Sequence, residues 1–230
     1  MGPKRWVKTS LAAMLMAILT PQAATAQEEI PPPSGKGRVV VVLSGQTGSG
    51  NYRPISSRIA ALGYDVVLFD SNAIIKARQG RPLSEAVAAA IEQARKMPHA
   101  APGKVGLVGF SLGGGMALGY GPTSLSDQVA VVAAWYPMTS EIKDVPAYAS
   151  RIRVPVVMFA GTADEYKFCC MITKAREIAS AAKAANAPFE LTTYAGVKHG
   201  FTIQGSDYDG ASTEDALART AAALKRYLGN

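Results

Sequence analysis

The sequence has few of the residues on which metal centres and disulfide frameworks are built. Its 230 residues include two cysteines and two histidines. Two cysteines are too few for a disulfide framework, and two histidines argue against a zinc site made of several imidazoles. Charged residues make up 18% of the chain and hydrophobic residues 48%. That balance predicts a folded domain with a sizeable core and excludes a disordered chain.

The apolar run near the N-terminus is too short to cross a membrane. It covers nine residues, 11–19, whereas a spanning helix needs about 20. Three cations precede the run and a small-x-small sequence, 24–26, follows it. This order is typical of a secretory signal peptide, with an uncleaved tether as the alternative. We expect cleavage near Ala26, export to the periplasm or the medium, and no membrane attachment afterwards.

The net charge of +7 gives little support for a polyanionic partner. Residues 1–26 contribute three cations and no anion, so the remainder carries 21 cations against 17 anions, a net charge of +4. No cluster of Lys and Arg interleaved with aromatic residues remains, and we therefore expect no nucleic-acid partner.

Short apolar runs alternate with helical periodicity after a Pro-rich lead-in at 27–37. The runs are continuous, as in strands that are buried on both faces of a parallel sheet. We predict one domain over 38–230, a three-layer α/β sandwich around a mostly or wholly parallel sheet of about six strands. The predicted strands are 38–43, 64–69, 104–109, 128–134, 154–160 and 189–194.

Apolar residues at spacings of three and four predict four helices. Ser212, with Asp215 three residues later, is the predicted cap of the last one. The four apolar stripes begin at Ile55, Leu83, Phe168 and Leu217.

The segment 109–113 reads Gly-Phe-Ser-Leu-Gly, a G-x-S-x-G pattern. The pattern alone is weak, but here it directly follows a predicted strand and opens a helix. That context is typical of a nucleophile elbow, which would hold Ser111 at the carboxyl end of the sheet. A glycine-rich turn with an uninvolved serine is the alternative.

A serine nucleophile needs a base and a third group that orients the base. His199 follows the strand 189–194, which places it at the same edge as Ser111. His99 precedes the elbow strand and is expected in a surface turn at the opposite end. Asp164 follows the strand 154–160 and completes the order Ser, Asp, His. Two other acids, Glu165 and then Asp144, are the weaker candidates for the orienting role.

Stabilisation of an oxyanion requires preorganised N–H donors. We expect one from the backbone of Leu112 and the other from the glycine-rich loop 44–50, at Gln46 or Thr47. The loop lacks the Lys-Ser/Thr ending of a phosphate-binding loop and the spacing of a dinucleotide fingerprint. No nucleotide is therefore expected, and the scarcity of histidine leads us to expect no metal.

Aromatic residues near the predicted edge are candidates for a substrate pocket. The segment 135–151, which follows one of the later strands, has only 17 residues, and this leaves no room for a large lid. The expected pocket residues, besides Gln46, are Phe110, Trp135, Tyr136 and Phe201.

Together these motifs resemble the dienelactone hydrolase branch of the α/β-hydrolases over roughly 38–228. The resemblance rests on VVVVLSGQTGSG, ALGYDVVLFD, GFSLGGG, GTADE and FELTTYAGVKHGF. It implies an α/β-hydrolase fold and cofactor-free hydrolysis of an ester or lactone through an acyl-enzyme. Ser111 stands where dienelactone hydrolases proper carry a cysteine, as it does in esterases.

The two cysteines, Cys169 and Cys170, are adjacent in the sequence. Buried thiols are favoured because a disulfide between neighbours closes a small, strained ring. A vicinal disulfide and intermolecular pairing remain open.

The expected function is that of an exported serine hydrolase acting on a small ester or lactone. A peptidase or thioesterase of the same fold and a non-catalytic binding protein on a hydrolase scaffold are the alternatives. The oligomeric state, monomer or dimer, is left open.

Overall fold

The computed structural model describes residue 2 and residues 27–205 and 207–229. The expected signal peptide and its cleavage site therefore lie outside the described residues. No helix in the described part of the chain is long and apolar enough to cross a membrane.

In the described residues, one sheet of seven strands forms the centre of the fold, in the order β1-β3-β2-β4-β5-β6-β7. All neighbouring strands are parallel except β1 and β3, which are antiparallel. The strands are β1 (Gln27–Ile30), β2 (Gly37–Leu43), β3 (Asp65–Phe69), β4 (Ala100–Phe110), β5 (Val129–Trp135), β6 (Val156–Gly161) and β7 (Phe189–Tyr194).

Helices cover both faces of the sheet, which is the predicted three-layer α/β arrangement. Alternate residues of the central strands pack on one side against α2 to α6 and on the other against α1 and α7. The helices are α1 (Arg53–Ala60), α2 (Ser71–Ala77), α3 (Leu83–Ala94), α4 (Ser111–Tyr120), α5 (Val145–Ala149), α6 (Ile172–Ala184) and α7 (Gly210–Tyr227).

The lead-in contributes a strand that the sequence pattern did not predict. Residues 27–30 pair with β3 and form one edge of the sheet, where Glu28 makes an ion pair with Arg53. Polar and charged residues are common on edge strands because they discourage pairing with another chain. Residues 27–30 lack alternating apolar residues, so hydrophobic periodicity does not predict a strand there. The sheet therefore has seven strands in the described residues, where about six were predicted.

Two predicted helix starts differ from the structure. Phe168 lies outside α6, with a positive φ of 55° and 81% of its surface exposed. The cap of α7 is Asp209, whose carboxylate accepts the N–H of Ser212 at 2.8 Å. Asp215 instead forms an ion pair with Arg219 and accepts the hydroxyl of Tyr194.

Glycines allow the first turn of α4 to touch the ends of β2 and β4. The N–H of Gly113 donates to the carbonyl of Ser44 at 3.0 Å. A Cβ at Gly113 would collide with the backbone of Leu43 and Ser44, and one at Gly109 with the backbone of Gly113 and Gly114. These contacts fix where α4 begins.

We predict that Gly113→Ala destabilises the protein by about 1–3 kcal/mol, because the clash is with backbone that cannot move aside cheaply. Gly119→Ala is the matched control in the same helix, since a Cβ there meets nothing within 4 Å. It is expected to be neutral or to stabilise by up to about 1 kcal/mol. Denaturant unfolding of both variants checks this, and equal stabilities would contradict it.

Candidate active site

Ser111 begins α4 immediately after the last residue of β4. Its φ of +50° is a left-handed conformation, which a non-glycine residue rarely adopts. This sharp turn holds the side chain at the carboxyl end of the central strands. A strand, a strained serine and a helix in this order form a nucleophile elbow.

A continuous hydrogen-bonded chain links Ser111, His199 and Asp164. Ser111 Oγ lies 2.8 Å from His199 Nε2, and His199 Nδ1 lies 2.7 Å from Asp164 Oδ2. With the proton on Nδ1, that N–H donates to the carboxylate, and Nε2 keeps a lone pair that accepts the serine hydroxyl. The arrangement is therefore set up to move a proton from the serine onto the imidazole.

The two loops that carry Asp164 and His199 are bound to each other. The N–H of Thr162 donates to Tyr194 O at 2.8 Å, and that of Ala163 donates to Val197 O at 3.0 Å. The N–H of Gly196 donates back to Thr162 Oγ1 at 2.8 Å. These bonds continue the β6–β7 pairing past the ends of the strands and so set the distance between acid and base.

Asp164 is 1% exposed and its carboxylate has two hydrogen-bond donors. Oδ2 faces His199, and Oδ1 accepts the N–H of Tyr166 at 3.1 Å. The other two acids considered from the sequence lie elsewhere: Glu165 is exposed, and Asp144 caps α5 by accepting the N–H of Ala147. Asp164 is thus the acid that the structure brings to His199.

His99 lies at the opposite end of the sheet, as expected. Its ring is half-exposed and pairs with Glu29 of β1 at 3.0 Å. It makes no contact with the elbow, which β4 separates from it.

Two tyrosines enclose the ring of His199. Tyr166 stacks on one face, with ring centroids 4.5 Å apart and an angle of 6°, and Tyr136 meets the ring edge-on at 5.0 Å. Sequence reasoning missed Tyr166, which lies in a 3₁₀ turn, Tyr166–Phe168, that carries no apolar period. Burial raises the pKa of Tyr136 well above its usual value, so this phenol stays neutral.

A cavity of about 260 Å³ opens beside Ser111 and His199. Tyr52 contributes to its wall, and burial raises the pKa of this phenol as well. Of the expected pocket residues, only Gln46 lines the cavity. The remaining wall comes from Thr47, Tyr166, Gly200, Ile203, Gln204, Gly205 and Asp207.

The four aromatic residues expected in the pocket wall lie beneath the site instead. Phe110, Trp135, Tyr136 and Phe201 are at most 1% exposed and contact one another at centroid distances of 4.9 to 6.2 Å. Trp135 was expected just after its strand but is the last residue of β5. Its side chain faces α7, where the indole N–H donates to Thr220. The expectation of a pocket lined by these rings is therefore corrected.

Cys169 and Cys170 form a vicinal disulfide, whereas free thiols were favoured from the sequence. The carbonyl of Cys169 accepts the N–H groups of both Thr139 and Ser140, which fixes the backbone at this turn. The bonded sulfurs also bear on metal binding: Cys170, Asp164 and His199 lie close together, but a disulfide sulfur offers no thiolate ligand.

Of the two expected oxyanion donors, Gln46 lines the cavity, and Leu112 directly follows Ser111, which lines it as well. Leu112 is in the first turn of α4, where backbone N–H groups have no intrahelical acceptor. Gln46 lies in the loop after β2, and its carbonyl accepts the side-chain amide of Asn72 at 3.0 Å. That bond restrains the loop next to Ser111.

A sheet of this topology with a nucleophile elbow at its carboxyl end defines the α/β-hydrolase class. A sequence model of the Dienelactone hydrolase family matches residues 25–228. The chain belongs to this family and is a hydrolase of ester bonds.

Solved structures share this fold at low sequence identity. A protein from Klebsiella pneumoniae subsp. pneumoniae, provisionally named a dienelactone hydrolase, has 19% identity and a TM-score of 0.70 over 89% of this chain and 100% of its own. Esterase 2 of Thermogutta terrifontis, phosphoramylated by tabun, has 18% identity and a TM-score of 0.66, covering 87% of this chain and 88% of its own.

A dienelactone hydrolase-like promiscuous phosphotriesterase from metagenomic libraries has 16% identity and a TM-score of 0.68, covering 84% of this chain and 88% of its own. No curated protein matches the sequence at a significant level.

We predict that Tyr166→Ala lowers kcat for p-nitrophenyl acetate about 2- to 10-fold, because a stacked ring pair contributes about 0.5–1.5 kcal/mol to holding His199. Tyr166→Phe keeps the ring and should restore kcat. Phe168→Ala, two residues away and 81% exposed, is the control and should leave kcat unchanged. Steady-state kinetics that determine kcat and KM separately test this prediction. A rise of KM with kcat unchanged would contradict it.

Proposed function

We propose that this family member is an exported serine hydrolase that cleaves a small ester or lactone through an acyl-enzyme. The observation that carries the proposal is the hydrogen-bonded chain from Ser111 through His199 to Asp164 at the wall of the cavity. A serine hydroxyl is a weak nucleophile at neutral pH unless a base removes its proton as it attacks.

In the first half-reaction Ser111 Oγ attacks the substrate carbonyl carbon while its proton passes to His199 Nε2. The resulting imidazolium is stabilised by the buried carboxylate of Asp164, to which Nδ1–H donates throughout. The C–O bond to the leaving alkoxide then breaks, and Nε2–H gives its proton to that oxygen. The acyl group remains on Ser111 as an ester.

In the second half-reaction a water molecule takes the position of the departed alcohol. His199 accepts one of its protons as the water oxygen attacks the acyl carbon, and the proton returns to Ser111 Oγ when the ester breaks. For a lactone the alcohol stays joined to the acid, so a single hydroxy acid is released. Both half-reactions thus use the same base.

The backbone N–H groups of Leu112 and Gln46 are assigned the role of stabilising the negative charge that develops on the carbonyl oxygen. Each donor of this kind is worth about 10² to 10³ in rate when it is preorganised. The start of α4 adds the positive end of a helix dipole at the same place. The glycine contacts described for α4 support this role because they hold the Leu112 N–H in position before substrate arrives.

The cavity favours a small substrate. Its volume of about 260 Å³ is just below the range of about 300–1,000 Å³ that is typical of ligand pockets. Its wall combines tyrosine and isoleucine side chains with amide and hydroxyl groups, which suits a short ester with a polar substituent. The esterase and phosphotriesterase names of the structural neighbours agree with ester chemistry of this kind.

An organophosphorus ester is the sharpest probe of the nucleophile, since two neighbouring esterase structures carry tabun and paraoxon adducts. We expect a fluorophosphonate to label the purified enzyme once per chain and Ser111→Ala to abolish both labelling and ester hydrolysis. Ser140→Ala is the matched control, because Ser140 lies near the site without a base beside it, and it should be labelled normally. Labelling that survives in Ser111→Ala would contradict the proposal.

Turnover of p-nitrophenyl esters, lactones, thioesters and aminoacyl amides would then separate the substrate classes. The proposal predicts a higher kcat/KM for short esters or lactones than for thioesters and amides. Labelled protein without turnover of any of these compounds would favour a binding protein on a hydrolase scaffold.

Export belongs to the same proposal and rests on the leader sequence alone. When the full chain is expressed in a bacterial host, we expect the exported fraction to begin at Gln27. Leu15→Arg interrupts the apolar run and should leave full-length protein in the cytoplasm. Intact-mass measurement of both fractions tests this, and full-length protein in the exported fraction would contradict cleavage near Ala26.

A further inference from the structure

Three side chains meet at the end of the sheet opposite the active site. Glu29 comes from β1, Asp65 is the first residue of β3, and His99 directly precedes β4. Each offers one ligand atom, and these three atoms lie within 4.8 Å of one another. Since β4 has 11 residues, the cluster is on the order of 30 Å from Ser111. It is therefore separate from the hydrolase site.

The backbone brings these residues together through strand register. Glu29 of β1 lies opposite Val67 of β3, and Asp65 is two residues before Val67 on the same strand. The N–H of Gly37 donates to His99 O at 3.0 Å, which ties the turn before β4 to the start of β2. A Cβ at Gly37 would collide with backbone at 63–65, so only glycine lets these segments approach this closely.

Glu29 and His99 are already oriented toward each other. Glu29 Oε1 lies 3.0 Å from His99 Nδ1 and also accepts the backbone N–H of His99 at 3.1 Å. The carboxylate is thus held in place independently of the imidazole. Nδ1 of His99 would be the ligand atom of this residue, and a cation would take the place between Nδ1 and the carboxylate of Glu29.

Asp65 is the fully buried member of the cluster, with the carboxyl group of Glu29 and the ring of His99 beside it. It is 0% exposed, and neither of its carboxylate oxygens accepts a hydrogen bond from the described residues. No ion pair to a Lys or Arg balances its charge among those residues either. A buried carboxylate without a cation beside it is costly, and buried charges in proteins are paired or coordinate metals.

We propose that Glu29, Asp65 and His99 bind a divalent transition-metal ion, for which Zn²⁺ is the natural probe. Two carboxylates and one imidazole provide the mixed oxygen and nitrogen set that zinc accepts, whereas Ca²⁺ and Mg²⁺ prefer oxygen alone. His99 is 43% exposed in its side chain, which provides an entry path and room for a water ligand. The ion would balance the negative charge at Asp65.

The site would be structural. It would join the edge strand β1 to β3 and to the turn before β4, because each ligand belongs to a different one of these segments. Glu29 is the third residue after Ala26, so metal binding would anchor the start of the folded domain to the sheet. This inference does not rest on the proposed hydrolase mechanism.

Equilibrium dialysis of the purified enzyme against Zn²⁺ with a competing chelator tests the proposal. All proteins carry His199→Asn, so that the imidazole of the active site cannot contribute. We expect one equivalent of Zn²⁺, more than tenfold weaker binding in His99→Gln and in Asp65→Asn, and a zinc-dependent rise in Tm that both substitutions remove. His99 is half-exposed, so its variant is expected to fold even if the Asp65 variant does not.

Glu28→Gln is the matched control, because Glu28 is the neighbouring acid on β1 and its partner is Arg53. It should bind zinc as tightly as the parent protein. Visible absorption bands of Co²⁺ in place of Zn²⁺ should appear in the parent and in Glu28→Gln and be lost in His99→Gln. Absence of binding, equal binding by all variants, or equal loss in the control would overturn the proposal.

Discussion

The close approach of α4 to the ends of β2 and β4 is the constraint on which the site depends. A helix can begin this close to the ends of two strands only where no side chain stands between them. The glycines at 109 and 113 meet this condition, because a Cβ at either position would collide with backbone. The hydrogen bond from Gly113 to Ser44 then fixes the loop after β2 against the first turn of α4. This packing keeps Ser111 in its strained conformation, because Ser111 occupies the corner between β4 and α4.

A second constraint connects the acid and the base. The loops after β6 and β7 are hydrogen-bonded to each other, so the positions of Asp164 and His199 relative to one another are fixed by the same contacts. Tyr166 adds to these contacts, because its N–H binds the carboxylate while its ring covers the imidazole. Backbone contacts between the loops and the ring of Tyr166 thus act together on the geometry of the site.

Sequence reasoning predicted the parts of the molecule that follow from parallel strands. In such a sheet the carboxyl ends of all strands meet at one edge, so the positions of Ser111, Asp164 and His199 after their strands were enough to bring them together. The pocket could not be predicted in this way. Tyr52 and Tyr166 lie in the 3₁₀ turns Ser49–Tyr52 and Tyr166–Phe168, which carry no periodicity. Trp135 was predicted just after its strand, but β5 extends one residue further and the indole faces α7. The edge strand β1 was not predicted because its polar residues are like those of a linker.

The aromatic rings beneath the site give the protein an internal reporter. Residues 27–230 contain a single tryptophan, Trp135, and its indole packs against Phe110, Phe159 and Phe201 while its N–H binds Thr220 of α7. Its surroundings therefore combine the ends of three neighbouring strands with the helix behind them. Intrinsic fluorescence excited in this one indole monitors the junction between the sheet and α7, beneath Ser111 and His199, without any introduced label.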